Sequence, residues 1–212
     1  MVLQTQQTLP TFWAQATHEL AKRDLVMQRL ITQFSDSAPQ SRGNAFVTLA
    51  RAIIGQQISV KAAASTWQKL SMALMEVTPA HLINTNTETL RSCGLSSRKI
   101  SYLQDLSRHF LDEGYNEAIW QKMSDEALIS HLVQIRGIGR WTAEMFLIFY
   151  MQRPDVLPVD DIGLQRAVSI HYNCEQPIEK SMLQSIAINW RPWRTVATWY
   201  LWRSLDPIPV DY

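Results

Sequence analysis

The sequence predicts an all-α fold of two helical lobes with a central cleft between them. Apolar residues recur at three- and four-residue spacing almost throughout, as in Leu49, Ile53, Ile54 and Ile58 or Leu128, Leu132 and Ile135. Strand-like alternation is scarce. Turn-forming clusters cut the pattern into roughly ten short helices, an estimate that rests on helix stop signals.

Along the chain, a first helix is expected over Thr11–Phe34 and ends at Ser35-Asp36-Ser37-Ala38-Pro39. Gln40-Ser41-Arg42-Gly43 reads as a crossing between lobes. An apolar helix opens at Phe46 and runs towards Ala63, with a helix–helix junction at Gly55-Gln56-Gln57-Ile58-Ser59. Breaks follow at Val77-Thr78-Pro79, at Cys93-Gly94-Leu95-Ser96, at Arg136-Gly137-Ile138-Gly139 and from Pro154 to Pro158. Gln152-Arg153-Pro154-Asp155 reads as the return crossing. Residues 46–157 are thus expected to form one lobe, and residues 1–45 with 158–212 the other, in a single unit.

A chain of 212 residues can bury a proper core. Its formal net charge of +1 is too small to argue for a polyanionic partner, so a nucleic-acid reading must rest on local features. Two distant cysteines, Cys93 and Cys174, exclude a disulfide framework, a four-cysteine zinc site and a four-cysteine iron–sulfur cluster. With no signal-like N-terminus and no long apolar run, a cytoplasmic protein without a membrane partner is expected. Trp190, Trp193, Trp199 and Trp202 crowd the C-terminal end; most of the eight tryptophans are assigned to the core.

The densest signal is Leu132-Val133-Gln134-Ile135-Arg136-Gly137-Ile138-Gly139-Arg140-Trp141-Thr142-Ala143. An apolar helix runs into Gly-Ile-Gly and a second helix starts. Glycine permits a tight turn and close approach of a partner to the backbone. Unpaired N–H groups and the positive end of the second helix suit a phosphate, with Arg136 and Arg140 beside them.

Beyond that turn, a proline-containing loop delivers Asp160 and Asp161 to the start of another helix. Asp160 is expected to be the helix N-cap, and Asp161 is harder to explain as a cap. An ionised carboxylate suits a reaction that develops positive charge, because it stabilises the transition state more than the ground state.

Leu132, Ile135, Gly137, Ile138, Gly139, Thr142 and Ala143, followed by Asp161, resemble the helix-hairpin-helix base-excision glycosylase superfamily. Trp190-Arg191-Pro192-Trp193-Arg194, Ala197 and Trp202 match its alkylpurine branch, the DNA-3-methyladenine glycosylase II family. The resemblance covers roughly residues 40 to 205. It implies that Asp161 is the catalytic carboxylate, that the hairpin residues Arg136 to Arg140 with Thr142 hold duplex DNA, and that Trp141, Met145 and Trp202 line the pocket for a flipped base. At the Gly55–Ser59 junction, relatives push a side chain into the gap left by that base. Gln57 occupies this place, with Ser59 and Lys61 beside it on the DNA side. Ser97, Arg98 and Lys99 match a second turn that meets phosphate.

The family's hairpin carbonyls often hold an alkali-metal ion, Na+ or K+, which maps onto Val133, Ile135 and Gly137; no cofactor is required for the chemistry. Lyase-type members carry a lysine nucleophile where this chain has Trp141, so the resemblance implies a monofunctional enzyme that leaves an abasic site. An aromatic face at that position attracts a cationic base by roughly 0.5–2 kcal/mol. A monomer acting on alkylated duplex DNA, nucleoid-associated when bound, is expected. About forty residues precede the shared core in this sequence, and the β-rich N-terminal domain that some relatives carry is not expected. The competing reading is a non-catalytic helix-hairpin-helix module, which needs neither Asp161 nor an aromatic pocket.

Overall fold

The computed structural model describes residues 10–35, 44–112, 115–174 and 177–205, and no strand occurs among them. The helices are α1 Trp13–Arg23, α2 Leu25–Gln33, α3 Ala45–Gly55, α4 Val60–Leu74, α5 Pro79–Asn84, α6 Thr87–Ser92, α7 Ser97–Leu111, α8 Glu117–Trp120, α9 Asp125–Leu132, α10 Arg140–Phe149, α11 Ile162–His171, α12 Lys180–Ala187 and α13 Arg194–Leu205. A 3-10 turn at Ile188–Trp190 precedes α13. None of these helices is long and apolar enough to cross a membrane.

The helices are shorter and more numerous than expected because small polar residues cap them. Asn44, Ser59, Thr78, Asn86, Ser96, Asn116 and Ser124 each accept a first-turn backbone N–H. Such a bond satisfies a donor that the helix itself leaves open. Asp24 splits the helix expected over Thr11–Phe34. Its backbone is extended, at φ −143°, and its Oδ1 accepts from Val26 and Met27 at 2.8 and 3.1 Å. The other oxygen of Asp24 accepts from the Tyr172 hydroxyl at 2.6 Å and from Trp190 Nε1 at 3.2 Å. Burial and the adjacent Asp24 carboxylate push the Tyr172 phenol well above its ordinary pKa.

Residues 44–146 form one compact unit. Its core gathers Leu49, Ile53 and Ile54 of α3, Leu103 and Leu106 of α7, and Trp120, Leu132 and Phe146, all buried. Trp120 packs edge-on against both Phe110 and Phe146. Residues 10–35 and 147–205 form the other unit. There α13 is buried from Thr195 through Leu201 and packs against α1, α2 and α11. Trp13, Trp190 and Trp199 fill that core, as the assignment of most tryptophans to packing anticipates.

The division falls inside α10, not at residue 157. Residues 147–157, expected with the hairpin lobe, belong with α13, and their hydrogen bonds explain why. Thr195 donates its N–H to Pro154 O and its hydroxyl to Arg153 O, and accepts from Val156 N–H. The Arg194 guanidinium clamps both oxygens of Asp155 at 2.7 and 2.9 Å. This loop is the one that ends at Asp161.

Candidate nucleic-acid interface and active site

Between α9 and α10 the chain makes the expected hairpin, with Ile135 and Ile138 buried beneath it. The two glycines do different work. Gly137 has φ +89°, which L side chains rarely adopt, and a Cβ there would lie 2.6 Å from Tyr102 Cγ. Gly139 has nothing within 4 Å of the place a Cβ would occupy. Internal packing therefore requires glycine at 137 and leaves the surface beside Gly139 open to a partner.

The turn is held from behind by α7 and by the α3–α4 junction. Asp105 Oδ2 accepts the Arg136 backbone N–H at 2.8 Å. Gln56 Nε2 donates to Gly137 O at 2.8 Å, and Ile138 N–H donates to Ile135 O at 3.0 Å. Two of the three carbonyls mapped to an alkali ion thus already accept one hydrogen bond, and each keeps a second lone pair.

The basic side chains fare unequally. Arg136 is exposed. Arg140 is paired, through Nε to Glu144 Oε1 at 3.0 Å and through NH1 to Glu126 Oε2 at 3.0 Å. The hydrogen bond to Glu126 raises its pKa further, opposed by burial and reinforced by the charges of Glu126 and Glu144. Lys99 does not lie free for phosphate: its Nζ donates to Ile54 O at 2.6 Å, closing the C-terminal end of α3, and burial lowers its pKa. Ser97 Oγ accepts from Arg91, while Arg98 is exposed.

At the junction, Gln57 is exposed and has φ +59°, a left-handed conformation unfavourable for a side chain of its size. Ser59 caps α4 through Ala62 N–H, and Lys61 is exposed in its first turn. On α10, Trp141 is 39 % exposed and Thr142 half-buried, whereas Met145, one turn further, is only 6 % exposed.

The carboxylate site lies in the other unit. Asp161, and not Asp160, is the N-cap of α11: its Oδ1 accepts the Leu164 N–H at 2.6 Å. Asp160 is exposed and ion-paired with Lys180. The correction arises from the loop, where Asp161 N–H donates to Pro158 O and leaves the residue extended, at ψ 117°, ready to cap. Trp202 Nε1 donates to the same Oδ1 at 2.7 Å. Its ring stacks on Phe149 at 6.0 Å and 12°. Thus Trp202, expected as a pocket wall, also bonds the catalytic candidate directly.

Gly163 makes that contact possible, since a Cβ there would sit 3.1 Å from Asp161 Oδ1 and 3.4 Å from Trp202 Cδ1. Gln165 Nε2 ties the incoming loop through Val159 O at 2.8 Å. Gln56, Tyr102, Asp105, Phe149 and Gly163 join the site without being expected there from the sequence. The Gly55–Ser59 junction signal covers Gln56, Tyr102 follows the second turn at Ser97–Lys99 and Gly163 follows Asp161, whereas Asp105 and Phe149 have no local motif of their own.

The model of the HhH-GPD superfamily of base excision DNA repair proteins matches residues 50–192. A Schizosaccharomyces pombe protein named DNA-3-methyladenine glycosylase 1 is 32 % identical over 183 residues, covering 83 % of this chain and 79 % of its own. Among solved structures, the S. pombe 3-methyladenine DNA glycosylase (Mag1) in complex with abasic DNA superposes with a TM-score of 0.77 at 29 % identity, over 92 % of this chain and all of that one. A DNA-3-methyladenine glycosidase from Bacillus halodurans gives a TM-score of 0.83 at 29 % identity, over 90 % and 89 % of the two chains.

Proposed function

We propose that this chain, which belongs to the HhH-GPD superfamily of base excision DNA repair proteins, is a monofunctional DNA glycosylase that flips alkylated purines out of the duplex and hydrolyses their N-glycosidic bond. The observation that carries this reading is the fixed carboxylate of Asp161. Its Oδ1 is pinned by Leu164 N–H and Trp202 Nε1 at the start of α11. The relatives named for 3-methyladenine release, and the one bound to abasic DNA, support the substrate class.

A purine alkylated at N3 or N7 carries positive charge and leaves readily, so no strong general acid is needed. The C1′–N bond breaks, its electron pair departs with the purine, and the sugar becomes an oxocarbenium-like cation. A carboxylate beside that cation stabilises it more than the ground state. Water then bonds to C1′ and gives up a proton, leaving an abasic site with the strand intact. Trp141, in the place of the lysine of lyase-type members, offers no amine for a Schiff base and presents a ring to a cationic base.

The hairpin supplies backbone grip. First-turn amides of α10 and the open side of Gly139 suit a phosphate, with Arg136, Thr142, Ser59 and Lys61 along the same DNA-facing set and Ile138, whose side chain is buried, able to offer only its backbone. An alkali ion would be held by the carbonyls of Val133, Ile135 and Gly137, hard oxygen donors suited to it, and would add positive charge beside that phosphate.

Incubation with alkylated duplex DNA tests the reading. Release of 3-methyladenine or 7-methylguanine without strand cleavage, and without a borohydride-trapped covalent complex, is expected. DNA binding without base release would favour the non-catalytic module, and trapping would favour a lyase.

A further inference from the structure

One face of α7 carries three residues at successive turns that each hold a different part of the DNA-facing surface. Lys99 Nζ donates to Ile54 O at the end of α3, Tyr102 lies under Gly137, and Asp105 accepts the Arg136 N–H. The spacing of three residues keeps them on one side of the helix. Gln56, one residue beyond α3, closes the arrangement by donating to Gly137 O at 2.8 Å. Gln57 follows the two tied residues Ile54 and Gln56 in the chain, exposed and left-handed.

A residue with a side chain at φ +59° is held there by its surroundings, because a free chain relaxes out of that conformation. Two bonds tie the chain on the N-terminal side of Gln57: the Lys99 bond immediately before the junction and the Gln56 bond to the hairpin. Together they fix Gln57 relative to the turn that ends at Gly139.

We propose that Lys99 and Gln56 are positioning residues that set the distance between the base-displacing Gln57 and the phosphate-gripping hairpin, so that backbone grip and base displacement occur as one event. This rests on the glycosylase reading for the roles of Gln57 and the hairpin. It assigns Lys99 a role inside the protein, in place of the phosphate contact its sequence position implies.

The test uses the full chain and a duplex carrying 2-aminopurine beside a tetrahydrofuran abasic-site analogue. Binding is followed by anisotropy across a salt series, and entry of the Gln57 side chain into the gap by the fluorescence of the neighbouring 2-aminopurine. Lys99→Met and Gln56→Met are expected to lose most of the fluorescence change at saturating protein, with the slope of log affinity against log salt as in the wild type. Lys99→Arg, which keeps a donor, is expected to restore the signal. In a double-mutant cycle, Gln56→Met and Gln57→Ala are expected to be far from additive.

A salt slope shallower by about one ion in Lys99→Met would make Lys99 a phosphate contact and overturn the proposal. Additive effects of Gln56→Met and Gln57→Ala would overturn it too. If Lys99→Met fails to fold, the cycle on Gln56 and Gln57 decides alone. Failure of the wild type to release alkylated bases would instead strike the glycosylase reading.

Discussion

Trp202 Nε1 and Leu164 N–H meet on a single oxygen, Oδ1 of Asp161, at 2.7 and 2.6 Å. Forty-one residues separate Trp202 from Asp161 in the chain, so the pairing is a product of how α13 packs on α11. Its consequence is orientation: a cap bond and an indole bond converge on one oxygen of the carboxylate, and the indole in turn stacks on Phe149.

Trp202→Phe therefore keeps the ring stack and removes the donor. A hydrogen bond to a charged group is worth about 1.5–3 kcal/mol, so the single-turnover rate of base release is expected to fall roughly ten- to a hundredfold. DNA affinity should be nearly unchanged. A rate within a factor of about two of wild type would show that the indole bond does not matter to the chemistry.

Gly163→Ala puts a methyl 3.1 Å from Asp161 Oδ1. Either the carboxylate or the indole must shift by a few tenths of an ångström to admit it. Slower base release is expected with a loss of stability of about 1–3 kcal/mol at most, read from single-turnover kinetics and denaturant unfolding side by side.

The two hairpin glycines should separate stability from binding. Gly137→Ala meets both a forbidden φ and the Tyr102 ring, and should destabilise the fold by several kcal/mol, on the order of the larger single-site effects. Gly139→Ala meets nothing inside the protein. It should fold normally and lose DNA affinity, by about tenfold if one close backbone contact worth roughly 1.4 kcal/mol is blocked. Equal affinity for Gly139→Ala and wild type would remove Gly139 from the interface.

Asp160→Asn should do little. The ion pair with Lys180 is exposed on both sides, and such pairs contribute about 0–1 kcal/mol. Base release within a few-fold of wild type is expected, a change of about 1 kcal/mol at most. A loss as large as that of an Asp161 variant would return Asp160 to the reaction.

These contrasts also mark what could be read in the sequence. The all-α fold was visible because helix periodicity is a local signal, and the hairpin because glycine at a tight turn is one too. The choice between Asp160 and Asp161 as cap was not, since it turns on the backbone angles that Pro158 and the tied loop impose. Lys99 has the composition of a phosphate ligand, and only the approach of α7 to the end of α3 shows the bond to Ile54 O. Arg140 likewise looks free until Glu126, on the preceding helix, folds against it. Pro158 marks a lobe boundary in the sequence, whereas Thr195 and Arg194 on a distant helix decide where residues 147–157 belong. Asp24 did leave a local trace: an N-cap residue type standing inside an apolar helical run.

The central claim is that Asp161 stabilises the sugar cation, and Asp161→Asn tests it most directly. Asparagine keeps the size of the side chain and an oxygen able to cap α11, but removes the charge. Single-turnover release of 3-methyladenine from alkylated duplex DNA is expected to slow by about 10²–10⁴-fold, the equivalent of roughly 3–5 kcal/mol, with DNA affinity retained. Release by Asp161→Asn within about tenfold of wild type would contradict the account.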